Sequence, residues 1–545
     1  MSAPAPASVS TAGQLKWWKK GDIAAFFALF TNNLTNIITF TALLTMAGLP
    51  VDMVVGRIAP AFGLAILLTS SMYVWFAKRL AAKEGRDDVV ALPSGPSAPS
   101  IFTVTFLVIL PVYSTTQDAE LAVGIGLVWG FLEGLILFVG SFFGDLLRRA
   151  VPRSVLLACL AGLGLLLLAM NPMLQSFQFP VVAFVVLTLV LMNWFGRSPF
   201  LGRVPTGLLL LIVGTAAAWA FGLQTPEAVQ AALVHAGWHP PQVSITNFID
   251  GVAHAGPFLA SAVPLALANY VFDLENIEAA EAAGDHYSAR PVMLVNGGAT
   301  MVGALMGNPY PVTVYIGHTA YKEMGAGIGY TMLNGITMFA VGLFGMSALL
   351  LSVVPMAAIA PILIYIGVVT AAQSVRETPK VELPVIFIAL FPWIANWANS
   401  LINNTLKAAG TSTAEVGADA LNHAGTYFAG ISTLGNGAPL SSLLWGMIAI
   451  FAIRNKPLQG AIIGALAGVL SFFGVIHAHV PGLPEKFALS DTHVMFLVAY
   501  LMVAVLFLAK WLQDRITNES VTFTANDEIT LSNAVAPSLI QAPQR

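Results

Sequence analysis

Five carboxylates, Asp273, Glu275, Glu278, Glu281 and Asp285, crowd one end of an otherwise apolar stretch at 257–282. An ionisable group inside a membrane is costly and by default marks a functional position, where it can carry a proton or accept a ligand N–H. Glu275 and Glu278 are three apart, so on a helix they share a face. Two neighbouring carboxylates, or one removed from water, are suited to proton exchange. Asp273 and Glu275 lie well inside the apolar stretch. Glu281 and Asp285 approach its end near Arg290 and read as a solvated helix terminus, with Glu278 between the two environments.

Other polar side chains sit in comparable surroundings. Asn32, Asn33 and Asn36 interrupt the first apolar stretch, where they can hydrogen-bond a polar ligand or join neighbouring helices. His318 lies in a short apolar piece that follows Asn308-Pro309-Tyr310-Pro311. His477-Ala-His479 has no further ligands beside it, so no metal centre is expected, and no organic cofactor either. No HExxH pattern and no Gly-rich phosphate loop is present, which removes the usual signatures of a membrane-embedded enzyme or an ATP-driven pump.

The elements that must position these groups are membrane helices. Hydrophobic residues make up 57% of the 545 and Asp, Glu, Lys and Arg only 9%, against about 25% in water-soluble chains. The single Cys159 rules out an internal disulfide framework, and no basic patch with interleaved aromatics points to nucleic acid. Apolar segments recur near 23–47, 58–78, 100–114, 119–144, 154–170, 180–196, 204–222, 257–282, 291–307, 314–324, 328–353, 356–374, 381–398, 436–453, 457–477 and 492–512, about sixteen spans by length. With the N-terminus inside, nearly all of the 24 basic residues fall on the cytoplasmic side and only Arg57, Lys407 and Lys486 outside. Residues 1–21 and 513–545 read as cytoplasmic tails, and 223–255 and 399–435 as periplasmic regions. The expected location is a bacterial-type cytoplasmic membrane.

Two segments, 100–114 and 314–324, are too short to span and follow Pro-rich stretches, Leu92-Pro93-Ser94-Gly95-Pro96-Ser97-Ala98-Pro99 and Asn308-Pro309-Tyr310-Pro311. They are seven segments apart. Seven is odd, so the second half is expected to be inverted relative to the first, with 22–222 and 256–454 as the two repeats. The run from Phe30 to Asn36-Ile37 resembles Phe272-Asp-Leu-Glu-Asn276-Ile277, which strengthens the pairing. Broken segments at matching positions of inverted halves point to a substrate site near the bilayer midplane, because irregular backbone at that depth must line a cavity. Asn36, Ser94, Ser97, Asp273 or Glu275, Tyr315 and His318 are its expected lining.

Asn296-Gly297-Gly298, Gly307-Asn308-Pro309-Tyr310-Pro311-Val312-Thr313-Val314-Tyr315 and Val89-Val90-Ala91-Leu92-Pro93-Ser94-Gly95 resemble segments of the nucleobase–ascorbate transporters, the xanthine/uracil permeases, near their hypoxanthine/adenine/guanine branch. The resemblance covers about 22–454 and rests on the order and spacing of these motifs. It implies an all-α polytopic fold of two inverted seven-segment repeats with short strands in segments 3 and 10, to which 455–512 adds two C-terminal helices. Segments 1–4 and 8–11 would carry the substrate, and 5–7 with 12–14 would form a gate and a homodimer interface. It further implies a permease for a nucleobase-like solute, coupled to protons or sodium through an elevator-type motion. The sequence departs from that pattern two residues after Tyr315, where Gly317 stands in place of an acid and His318 follows. A small-anion or carboxylate exchanger or channel of the same architecture is the other expectation.

Overall fold

The structure, a computed structural model, describes residues 15–142, 151–196, 198, 200–201, 206–477 and 491–517. Of the tails expected at 1–21 and 513–545, residues 1–14 and 518–545 lie outside these residues, while 513–517 continue the last helix. Among the described residues the fold is all-helical apart from two three-residue strands. Eight helices are long and apolar enough to cross a membrane, or ten if two bent pairs each count as one span. This is a multi-pass membrane protein.

Contacts divide the chain into two compact units, one of 1–147 with 167–368 and one of 148–166 with 369–545. The first unit opens with α1 (Gly21–Met46) and α2 (Val51–Glu84), then β1 (Ser94–Pro96), α3 (Ala98–Thr116) and α4 (Ala119–Gly140). After α5 (Arg153–Gln178), which the unit enters part-way, come α6 (Pro180–Asn193), α7 (Thr206–Ala220), α8 (Pro226–Leu233) and α9 (Ile245–His254). The second half of the unit holds α10 (Gly256–Ala282), α11 (Ala289–Leu305), β2 (Val312–Val314), α12 (His318–Glu323), α13 (Gly329–Leu343), α14 (Met346–Val353) and the first part of α15 (Met356–Glu377).

Proline explains why two segments break. Pro93, Pro96 and Pro99 in one, and Pro309 and Pro311 in the other, lack the N–H that a helix interior needs. Buried backbone groups must still be paired, and here the two segments pair with each other. β1 and β2 are antiparallel, with Ser94 opposite Val314, Gly95 opposite Thr313 and Pro96 opposite Val312. The ladder continues past both ends: Tyr315 N–H donates to the Pro93 carbonyl at 2.8 Å and Ser97 N–H to that of Pro311 at 2.9 Å. Every residue of both strands is buried.

Small residues let the surrounding helices approach. A Cβ on Gly130 of α4 would lie 2.4 Å from the Pro309 carbonyl oxygen, and one on Gly134 would lie 2.9 Å from that of Gly297. So α4 packs directly against α11 and the lead-in to β2, which no larger residue would permit. The stretch expected as a single span at 328–353 is instead two helices, α13 and α14, bent by 96°. The reason is local: Gly345 has φ +64° between them, and its backbone is enclosed by His235 and His239.

In the second unit, α16 (Leu383–Ala408) extends well past the end expected at 398, and three short helices follow, α17 (Thr413–Val416), α18 (Ala418–His423) and α19 (Phe428–Gly435). Then come α20 (Ala438–Ile453), α21 (Pro457–Phe472) and α22 (Asp491–Thr517). Gly460, Gly464 and Gly468 form a small-residue face on α21 that receives Phe507, Ala504 and Tyr500 of α22. Half-exposed Arg454 holds Glu382 through Nε at 2.8 Å and Nη2 at 3.1 Å, and Ser154 Oγ donates to the same carboxylate.

Candidate functional site

The strand crossing is held from both sides by matching bonds. Asn33 of α1 donates to the Ser94 carbonyl at 3.0 Å, and Asn276 of α10 donates to the Val314 carbonyl at 3.1 Å. Ser94 and Val314 are cross-strand partners. The sequence comparison had paired Asn276 with Asn36. The equivalent role belongs to Asn33, while Asn36 lies one turn on and turns its amide back to the Asn32 carbonyl at 3.0 Å. Hydroxyls from the adjoining helices extend the likeness: Thr69 of α2 bonds to Ser94 Oγ, and Thr300 Oγ1 of α11 accepts from Val312 N–H at 3.1 Å.

Three polar atoms around the crossing are buried and have no hydrogen-bond partner: Asn33 Oδ1, Asn36 Oδ1 and Thr313 Oγ1. Thr313 sits opposite Gly95, and a Cβ on Gly95 would lie 2.7 Å from Asn33 Oδ1 and 2.5 Å from the Tyr315 ring. The Tyr315 hydroxyl neighbours Asn36. Asn36, Tyr315 and the Ser94 backbone therefore lie together around the crossing.

The other expected lining residues are used elsewhere. Asp273 is fully buried, and both of its oxygens are engaged. Oδ1 accepts Val314 N–H at 2.8 Å and Oδ2 accepts Asn296 Nδ2 at 2.7 Å, with Asn296 in turn receiving the Tyr73 hydroxyl. It fastens β2 to α10 and α11. Glu278 is exposed, and the Glu275 side chain lies outside the described residues. Ser97 caps α3, accepting from Ser100 N–H at 3.2 Å, and donates to Asn269 Oδ1 at 3.0 Å.

His318 belongs to a third group, centred on Asp285. Expected as a solvated helix end, Asp285 has a fully buried side chain that gathers four donors: Arg86 Nη2 at 2.7 Å, Lys322 Nζ at 2.7 Å, His318 Nε2 at 2.9 Å and Val90 N–H at 3.2 Å. Burial alone would raise this carboxyl, but the bonds from His318, Lys322 and Arg86 outweigh it and hold it at about 2. Arg86 is raised above its ordinary value against the opposing effect of burial, through Glu84, Asp88 and Asp285. Gly317, with φ +107°, makes the turn that starts α12 and puts His318 into this cluster.

Sequence reasoning missed Glu133. It lies on α4, fully buried, where Oε1 accepts from Ser100 Oγ at 3.1 Å and from Asn269 Nδ2. Asn269 Nδ2 also donates to Ser100 Oγ at 2.8 Å. The available signal was a lone carboxylate in the middle of the apolar run 119–144, which by itself marks an intramembrane functional position.

No family profile matches the chain, and no curated protein does. Solved structures do resemble it. The transmembrane domain of a cyanobacterium bicarbonate transporter, BicA, matches with a TM-score of 0.43 at 15% identity, over 68% of this chain and 93% of that one. The murine Solute Carrier 26 family member A9 anion transporter, in its inward-facing state, matches with a TM-score of 0.46 at 12% identity, over 69% and 65%. These are anion carriers rather than xanthine/uracil permeases, and the resemblance to the nucleobase–ascorbate family is corrected accordingly. The local geometry agrees with that correction. Gly317 stands where the segment-10 acid would be, and Asp273 takes one N–H donor on each of its oxygens.

Proposed function

We propose that this protein is a secondary transporter of a small anion, and that the anion binds at the crossing of β1 and β2. The observation that carries the proposal is that α3 begins directly after β1, with only its N-cap Ser97 between them, so that its first turn stands at the crossing. Helix N-termini carry partial positive charge and unpaired N–H groups, which favour an anion. Hydroxyl donors stand beside them, Thr313 without a protein partner and Tyr315 next to Asn36.

The matched bonds of Asn33 and Asn276 support two inverted repeats as the frame of this site. Alternating access would then exchange the two sides of the crossing. The charge asymmetry of the loops supports cytoplasmic termini in a cytoplasmic membrane.

The direct test is uptake by purified protein in liposomes of labelled sulfate, chloride and bicarbonate, with adenine and uracil alongside. Saturable uptake of at least one anion, lost in Thr313→Val, is expected. Uptake of a nucleobase with no anion uptake would overturn the proposal.

A further inference from the structure

Glu133 is a buried acid that neither the strand crossing nor the Asp285 cluster uses. Its Oε1 takes both available donors, Ser100 Oγ and Asn269 Nδ2, while its Oε2 is buried with no partner at all. Asp273, the second carboxyl in this region, lies one turn of α10 beyond Asn269, the residue that donates to Glu133. No ion pair involves either carboxyl among the described residues. Among the described residues, the polar groups linked to this part of α4 are neutral: Ser97 and Ser100 of α3, Asn269 of α10, and Tyr73 of α2 through Asn296. Arg290 of α11 packs on the Phe142 ring, beyond the end of α4, and Glu120 lies at its start with Arg57 and Asn247.

Two carboxylates in one dry cluster oppose each other's ionisation and are strongly penalised by desolvation. Their bonding differs in a way that assigns the proton. Asp273 receives N–H donors on both oxygens, the pattern of a carboxylate. Glu133 receives donors on one oxygen only, the pattern of a carboxylic acid whose O–H is on the other.

We infer that Glu133 is the proton-carrying residue of this transporter, binding one proton for each cycle of anion movement. This rests on the anion reading above and adds the coupling ion to it. The link to the site is covalent and hydrogen-bonded. Glu133 accepts from the Ser100 hydroxyl in the first turn of α3, Ser100 N–H donates to the Oγ of the N-cap Ser97 at 3.2 Å, and Ser97 N–H closes the strand pair on Pro311. Ionised Glu133 would put a negative charge beside the helix end that attracts the anion. Protonated Glu133 removes it. Anion and proton therefore load together and leave together, and the proton returns to water when the anion does.

The experiment has two independent arms. The first is infrared difference spectroscopy of reconstituted protein, which detects the protonated-carboxyl C=O stretch without any substrate. A band at neutral pH is expected that is absent in Glu133→Gln and retained in Asp273→Asn. A band unchanged by Glu133→Gln overturns the inference, as does one that vanishes only in Asp273→Asn. The second arm follows internal pH in dye-loaded liposomes under an inward sulfate or chloride gradient. Wild-type protein is expected to acidify the lumen, and Glu133→Gln to abolish that acidification while anion counterflow persists. Should a Glu133 band be present with no anion flux of any kind, the anion reading fails and the proton site stands. If Glu133→Gln yields no folded protein, survival of the band in Asp273→Asn decides the assignment.

Discussion

Replacing Asp285 by Ala removes the one acceptor on which Arg86, Lys322, His318 and the Val90 amide converge. Breaking a fully buried ion pair costs about 3–5 kcal/mol, because the remaining charge is left unpaired. Here the cations are only partly dry, with side-chain exposures of 25% for Arg86 and 19% for Lys322, and Arg86 keeps Glu84 and Asp88. Partial rehydration lowers the expected cost to about 2–3 kcal/mol. That corresponds to a melting point lower by roughly 2–3 °C at neutral pH, using the per-residue unfolding entropy of globular proteins over a chain of this length.

The sign of the pH dependence is fixed by the same contacts. Asp285 sits at about 2 in the folded protein, below the ~3.9 of a free aspartate. A depressed carboxyl contributes its stability fully above about pH 4 and loses it as pH falls toward 2. Thermal unfolding of both proteins in detergent from neutral to acid pH should therefore give curves separated by a constant offset down to about pH 4, converging below it. An Asp285→Ala protein that melts with wild type at neutral pH, or an offset that persists unchanged in strong acid, would refute the reasoning.

Thr313→Val keeps the shape of the side chain and deletes a buried hydroxyl that no protein group uses. The melting point should hold or rise, while anion uptake should fall about 10–100-fold if the hydroxyl donates to the charged substrate. Equal loss of stability and uptake would assign it a structural role instead. Gly95→Ala puts a methyl against Tyr315 and Asn33, which should cost about 1–3 kcal/mol by overpacking and close the crossing to substrate. Normal uptake by this variant would move the site elsewhere. Asn33→Ala and Asn276→Ala each leave one buried strand carbonyl unpaired, so each should destabilise by about 1–3 kcal/mol and by similar amounts; a strong asymmetry in melting would argue against matched repeats. Reporters fused after Lys83 or Arg376 should be cytoplasmic, and one inserted near Gln242 periplasmic.

What the sequence determined by itself follows from local chemistry. Apolar runs long enough to cross a bilayer fix the membrane class, since lipid leaves helices few alternatives. The clustered prolines, 93 with 96 and 309 with 311, mark where two of those runs break, because two missing N–H groups so close together leave a helix too few bonds. The single Pro361 and Pro392 are instead accommodated inside helices. The shared asparagine pattern of the first and eighth segments was visible too, displaced by one turn.

Tertiary structure decided which polar groups are free. Asp273 and Asp285 look alike as letters in one acidic run, yet one is absorbed by a strand amide and Asn296 while the other collects two cations and a histidine from distant parts of the chain. Those partners, Val314, Arg86, His318 and Lys322, are set by how helices and strands meet, and no spacing along the chain encodes them. Glu133 shows the converse. Its isolation in the sequence gave no cluster to notice, and only packing of α4 against α3 and α10 surrounds it with Ser100 and Asn269 and leaves one oxygen bare.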